Sequence, residues 1–405
     1  MRRPCDICGS VDVERLHDQR FVTFDDASGL AGYRVVACKR CGFVFADGIP
    51  EQDVFDRYYR EMSKYEPRDS QWSLSGAKRH NYETIVDALA ARFPDRTTSI
   101  LDVGSAGGDL LSVFKERGYE SLTGFDPSPA CVEDARSRYG IHVTNAPISQ
   151  MRSSGKRYEL IVLSGVLEHL RDLQATLRTL VALLEPGGHM YFCVPDALRL
   201  VDYIEAPYQH LSLEHINFFS ASTLSSLMGT VGLRMQDRWE STLRVGTMFE
   251  PDLNATFAGV SHASTIAYDG DGATALGAYC AASARLQDRL WTRVADLAAS
   301  RRPLLVWGVG SLTMSLLADE RFASLAIDGY VDANKQYWRK TIRGVPILSP
   351  DEIANRDEMI LIASFAYESE ILAEIRERHG YRNPVVRLFS EESQSHSMMS
   401  MNGTS

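Results

Sequence analysis

Ile100-Leu101-Asp102-Val103-Gly104-Ser105-Ala106-Gly107-Gly108 decides the architecture of this chain. An apolar strand pattern carries one acidic side chain, runs straight into a glycine-rich loop and opens a helical stretch expected over 109–117. Glycines at such a turn let the backbone bend sharply and approach a ligand closely. The spacing is not Gly-x-Gly-x-x-Gly and no Lys-Ser or Lys-Thr follows, which excludes a phosphate-cradling P-loop. The next strand ends in Gly124-Phe125-Asp126-Pro127-Ser128. Its acidic residue, about 20 positions on, is placed to accept hydrogen bonds from ribose hydroxyls. The pair of features points to a cofactor containing adenosine.

Working outward, the segment 96–240 alternates short β-branched runs (99–103, 121–126, 160–164, 190–194) with helical stretches, the rhythm of a parallel sheet. A second βα series occupies 301–391, beginning at Leu304-Leu305-Val306-Trp307-Gly308-Val309-Gly310 and including 327–332, 359–363 and 385–388. Between the two, 241–300 reads as a linker ending in a long Ala- and Leu-rich helix over 272–300. Ahead of the first series, 51–95 is helical and rich in aromatics and charge. The final 392–405 is Ser-, Met- and Asn-rich and is expected to be disordered. The fold class is therefore α/β, with two sheet-bearing units of unequal size.

The N-terminal 1–50 holds Cys5-x-x-Cys8 and Cys38-x-x-Cys41, each pair followed by a glycine. Two such knuckles supply four thiolates for a tetrahedral Zn²⁺, a zinc-ribbon-like module. Four thiolates leave no open coordination position, so this zinc is expected to stabilise the fold and perform no chemistry. The other three of the seven cysteines, Cys131, Cys193 and Cys280, are scattered and read as buried thiols. Paired motifs of this kind suit a reducing cytoplasm. The 405 residues carry a net charge of −10, which argues against nucleic acid as partner. No apolar run reaches the roughly 18 residues that span a bilayer. A monomer or small homo-oligomer acting on a small molecule is expected.

Further along stand Leu160-Ile161-Val162-Leu163-Ser164-Gly165-Val166-Leu167-Glu168-His169 and Leu184-Glu185-Pro186-Gly187-Gly188. With these, 99–237 resembles the class I S-adenosylmethionine-dependent methyltransferases. The resemblance implies that Asp102, Gly104 and the backbone of Ser105, Ala106 and Gly108 hold the methionine end of the cofactor. It implies that Asp126, with Pro127 beside it, holds the ribose, that Asn145 and Ala146 flank the adenine, and that Ser164 faces the methionine moiety. Ala106 stands where the family has its second loop glycine. The Leu167-Glu168-His169 triplet recurs across these enzymes and reads as architectural.

After the strand at 190–194 comes Tyr208-Gln209-His210-Leu211-Ser212-Leu213-Glu214-His215-Ile216-Asn217-Phe218-Phe219. Loops at the carboxyl ends of parallel strands line the ligand crevice. A histidine there can take a proton near neutral pH, and Glu214 can orient it. A zinc module, a methyltransferase core and a C-terminal Rossmann-like domain, in this order, resemble the sugar C-methyltransferases of deoxysugar biosynthesis. That resemblance matches Glu214-His215 to the family's Glu-His pair and implies that His215 removes a proton beside a ketone on a nucleotide-linked sugar. The family has a tyrosine where this chain has Ser212; Tyr58, Tyr59, Tyr65 or Tyr208 could replace it, and His80 lies in the covering helical segment.

In the C-terminal unit, Trp307-Gly308-Val309-Gly310-Ser311 and Asp332 sketch a second nucleotide-type fold, with Thr313 at the third glycine position of the dinucleotide fingerprint. It is expected to help form the substrate cleft. Three alternatives remain open: O-methylation of a sugar or small-molecule hydroxyl, an inactive zinc-stabilised binding module, and an NAD-linked sugar enzyme.

Overall fold

The structure, a computed structural model, describes residues 3–25, 31–61, 76–151, 156–259 and 266–389. Its N-terminal module is an antiparallel sheet of β1 (Val13–Arg20), β2 (Gly32–Cys38) and β3 (Val44–Asp47). The first cysteine pair lies just ahead of β1 and the second fills the turn between β2 and β3. At that turn Gly42 has φ 81°, and a Cβ on it would come within 1.6 Å of the Asp269 carbonyl oxygen, so only glycine fits. Two helices, α1 (Gln52–Glu61) and α2 (Gly76–Arg92), lead into the central unit.

That unit runs β4 (Ile100–Val103), α3 (Asp109–Glu116), β5 (Leu122–Asp126), α4 (Pro129–Tyr139), β6 (Val143–Asn145), β7 (Tyr158–Ser164), α5 (Leu173–Ala182) and β8 (Leu184–Pro195). The short β9 (Asn217–Phe218) leaves this sheet and pairs with β3 of the N-terminal module. The chain then returns through α6 (Ala221–Gly229), β10 (Leu233–Val245) and β11 (Met248–Gly259). The sheet order is β10-β11-β8-β7-β4-β5-β6, with β11 antiparallel to both neighbours. All four residues of β4 are buried, as both faces of a parallel sheet require. The expected boundary at 240 is too early. Hydrophobic periodicity weakens in the half-exposed β10, yet β11 pairs with β8 from Asp252 to Ala258 and belongs to the same sheet.

The long helix α7 (Asp271–Ser300) then leads to β12 (Leu304–Trp307), α8 (Ser311–Leu317), α9 (Glu320–Ala323), β13 (Ile327–Val331), β14 (Thr341–Ile342), β15 (Val345–Leu348), β16 (Met359–Ile362), α10 (Glu368–Ala373) and β17 (Val385–Arg387). These strands order as β14-β15-β13-β12-β16-β17. Helix α7 is more than a spacer. Tyr279 on it is fully buried in one hydrophobic cluster with Val35 of β2 and Leu304 of β12. The N-terminal module also reaches the C-terminal unit directly, through Val22 N to Met314 O (2.9 Å) and Asp25 N to Thr341 O (2.9 Å). Tyr65 and the expected tail at 392–405 lie outside the described residues.

Candidate active site

Strand β4 has β5 on one side and β7 on the other, so the chain direction of the sheet switches at its carboxyl end. Crevices open at such points. Gly104 begins the loop there with φ 76°, and a Cβ on it would meet Val166 Cγ2 at 2.6 Å. Ala106 holds φ 45°, a conformation costly for a residue with a side chain. Asp126 at the end of β5 holds it in place. Its Oδ2 accepts the Ala106 N–H at 2.8 Å and its Oδ1 accepts the Ser128 N–H at 2.9 Å. Asn145 donates its amide to the carbonyls of Asp126 (3.2 Å) and Pro127 (3.1 Å), so it braces this corner, and Ala146 N also bonds Asp126 O (3.2 Å). Ser105 is buried, Ser164 is half-buried at the end of β7, and Gly108 (φ 77°) caps α3.

Asp102 is 3% exposed, and burial first, then the charge of Asp126, push its carboxyl well above the usual carboxylate range. Two neighbouring carboxyl groups at this crevice suit a ligand carrying positive charge and hydroxyls, which describes S-adenosylmethionine. Asp102, the 104–108 loop and Asp126 are the residues that would hold it.

The crevice joins the expected base through one short turn. Leu167–His169 forms a 3₁₀ turn after β7, and the His169 N–H bonds Val166 O at 3.0 Å. His169 then stands edge-on to His215, ring centroids 4.9 Å apart. Glu168, His169 and His215 each bring a ligating atom within 4.8 Å of the others. His169 Nδ1 lies 3.1 Å from the Glu214 carbonyl oxygen. A carbonyl only accepts, so that contact is a hydrogen bond in the tautomer with the proton on Nδ1, and Nε2 lies 3.8 Å from Glu168 Oε1. Glu168 and His169 are buried at 3% and 6% exposure, and His169 packs against His215.

Helix α1 covers this cluster. It is anchored at one end by Arg171, whose N–H reaches Gln52 Oε1 (3.1 Å), and further along by Ser149, which bonds Asp56. From it the Tyr58 hydroxyl donates to Glu214 Oε1 at 2.8 Å, and the Tyr59 hydroxyl lies 3.1 Å from His169 Nδ1. Burial, then the Glu214 charge, raise Tyr58 well above the ordinary phenol range and keep it protonated. Ser212, in the place of the family's tyrosine, is turned inward. Its hydroxyl accepts the backbone N–H groups of Glu214 (3.3 Å) and His215 (3.1 Å). Of the other aromatic candidates, Tyr208 stacks on His17 at 4.3 Å, and His80 is exposed. The sequence holds the Leu-Glu-His triplet in plain view; the 45-residue return that brings Glu214 onto it is tertiary.

In the N-terminal module Cys5, Cys8, Cys38 and Cys41 bring their sulfurs within 4.8 Å of one another, all four unbridged. Cys5 and Cys41 sulfurs are 3.5 Å apart and those of Cys8 and Cys38 are 3.4 Å apart. The edge of a tetrahedron with Zn–S near 2.3 Å is about 3.8 Å, so the set fits Zn²⁺. In the C-terminal unit Asp332 Oδ2 accepts the Val309 N–H at 2.8 Å, repeating the Asp126 arrangement, while Thr313 Oγ1 is turned onto Gly308 O at 2.6 Å.

The sheet order, the switch-point loop and its carboxylates define a methyltransferase domain. The family model of that description matches residues 77–237, and a second, described as C2185-like, N-terminal, matches 300–384. A ubiquinone biosynthesis O-methyltransferase from Methylobacterium sp. (strain 4-46) is 32% identical over 95 residues, covering 22% of this chain and 38% of the relative. One from Coxiella burnetii (strain Dugway 5J108-111) is 29% identical over 151 residues, covering 34% and 64%. The chain thus spans less than two thirds of these relatives' length. A solved S-adenosylmethionine-dependent methyltransferase from Mesorhizobium loti superposes with TM-score 0.36 at 20% identity, over 46% of this chain and 100% of that one. Among the described residues no helix is long and apolar enough to cross a membrane.

Proposed function

We propose that this protein transfers a methyl group from S-adenosylmethionine to a nucleotide-linked sugar, at a carbon beside a ketone. The observation that carries the reading is His215, held 4.9 Å from His169 on the turn that packs against the cofactor loop. The bound cofactor supplies an activated methyl on its sulfonium. The chain aligns the acceptor and takes its proton. His215 would accept that proton from the acceptor carbon, and the carbon's electron pair would displace the methyl from the sulfonium, whose sulfur keeps the pair of the broken bond. The Glu168 carboxylate, within 4.8 Å of a ring nitrogen of His215, would face the resulting positive charge, while Glu214 is held by Tyr58. Tyr58, kept protonated, gives its one proton to Glu214 Oε1 and so holds the loop that bears His215 under helix α1. The sugar assignment is supported by the order of the three units, with a Cys₄ module that holds structural Zn²⁺.

O-methylation is the second reading, favoured by the names of the matched O-methyltransferases. It needs only a hydroxyl in place of the ketone. Methyl-labelled S-adenosylmethionine, incubated with a panel of keto- and hydroxy-sugar nucleotides, separates the two when the label is located by NMR. Label on carbon supports the first reading and label on oxygen the second. His215→Ala should abolish transfer in either case while cofactor affinity stays; transfer at the wild-type rate would remove His215 as the base. Failure to bind S-adenosylmethionine in a titration would leave only a binding module.

A further inference from the structure

The segment that carries His215 is clamped from outside the methyltransferase sheet. Arg3, two residues before Cys5 and with a side chain only 1% exposed, donates from NH2 to Asn217 Oδ1 at 2.9 Å and to Asp6 Oδ2 at 2.7 Å. Its backbone N–H bonds Asp47 Oδ1 at 2.8 Å, and its guanidinium lies 5.3 Å from the Phe45 ring centroid. Asn217 passes the connection inward. Its amide donates to the carbonyls of Leu167 (3.1 Å), Glu168 (3.4 Å) and Leu170 (2.8 Å), the backbone of the turn that bears His169. The Ile216 N–H bonds the Glu168 carbonyl at 2.9 Å from the same side.

The second knuckle holds the far end of the same segment. Cys41 O accepts the Asp269 N–H at 3.1 Å, and Asp269 accepts from the Ser220 hydroxyl that caps α6. Phe43 stacks on Phe219 at 5.3 Å, and β3 pairs with β9 at Val44–Phe218 and Phe45–Asn217. Both knuckles therefore grip the stretch 216–220 that directly follows His215, and a cation bound by the four sulfurs would tie the knuckles together. A surface zinc ribbon that only added stability would need no buried cation reaching into the methyltransferase turn.

We infer that the Cys₄ module is the platform that sets the catalytic geometry, with Arg3 and Asn217 as positioning residues that fix the His215 loop against the Glu168-His169 turn. A displacement of about 1 Å at such a group is worth on the order of 100-fold in turnover. The catalytic part of this inference rests on His215 being the base; the geometric part does not.

The test is the long-range imidazole ¹H–¹⁵N spectrum of Arg3→Met and of Asn217→Asp, with S-adenosylmethionine affinity as the check on folding. Asn217→Asp keeps the volume and the contact to Arg3 but replaces the amide donor with an acceptor. The expected result is that the His169 and His215 resonances move or broaden in both variants while exposed His80 and His142 stay put and cofactor affinity holds. Zinc removal by a chelator should move the same two resonances, and turnover should fall about 100-fold through kcat rather than KM. His169 and His215 resonances coincident with wild type in the folded variants would overturn the platform. So would failure of Asn217→Asp to fold, since a local positioning role leaves the fold intact. An active His215→Ala would instead sink the base and leave the platform standing.

Discussion

The Tyr58 hydroxyl donates to Glu214 Oε1 at 2.8 Å, joining residues 156 positions apart in a site where Glu214 is only 2% exposed. Helix α1 is thereby tied to the proposed catalytic loop as well as covering it. Removing the hydroxyl in Tyr58→Phe leaves a buried carboxylate short of a donor, a loss of about 1.5–3 kcal/mol for a hydrogen bond to a charged group. Turnover in the labelled-methyl assay should drop by roughly 10- to 150-fold with cofactor affinity unchanged. Full activity in the phenylalanine variant would reduce Tyr58 to packing.

Asp126 accepts the loop N–H groups of Ala106 and Ser128 and is the residue we propose for the ribose. Asp126→Ala should weaken S-adenosylmethionine binding by about 1.5–3 kcal/mol in calorimetry. Equal affinity in the variant and the wild type would take the ribose assignment away.

Ala106 sits at φ 45° without the freedom of glycine. Ala106→Gly removes a conformational cost of about 1–2 kcal/mol from the folded state, partly offset by the greater freedom of glycine in the unfolded chain. A small rise in Tm is the expected reading. A fall would show that the methyl makes packing contacts worth more than the relief.

His210 is fully enclosed, and burial pushes its imidazole down to about 4, against a weaker opposing contribution from the Tyr203 carbonyl. Glu250 Oε1 stands 3.9 Å from its Nδ1, beyond hydrogen-bond reach. The folded-state value is depressed, so the stabilisation is full above the unfolded value of 6.5 and is lost as pH falls through about 4. In that window the unfolded chain binds a proton that the folded chain refuses, for a total of about 3 kcal/mol. His210→Gln should flatten the fall in urea midpoint between neutral and acidic pH. Parallel losses in variant and wild type would assign the acid sensitivity to other groups.

Cys38 is one of four unbridged sulfurs within 4.8 Å of one another, and a bound cation is what would let all four be thiolates together. Cys38→Ser should lower bound zinc measured by mass spectrometry and reduce soluble yield. Soluble, fully active protein with no zinc would contradict a structural metal.

How much was legible follows from what is local. The β4 loop, the acidic end of β5 and both cysteine knuckles declare themselves within a few residues, because tight turns, close approach and metal geometry each demand particular residue types at fixed spacing. The boundary at 240 failed because β10 is half-exposed and its pattern blurs, while pairing of β11 with β8 is a long-range fact. Glu168-His169 was visible but silent, since a recurring triplet does not say what will pack against it.

Short-range chemistry in the sequence alone determined the α/β class of the two sheet-bearing units, the glycine-rich loop after β4 and the four clustered cysteines, with His215 as the candidate base. The tertiary structure alone decided that Tyr58 meets Glu214, that His169 meets His215, and that Arg3 reaches Asn217. Those three contacts join residues 156, 46 and 214 positions apart in the sequence. No local spacing encodes them: they exist only because β9 leaves the central sheet to pair with the cysteine module, carrying the base into a site built by three separate stretches of chain.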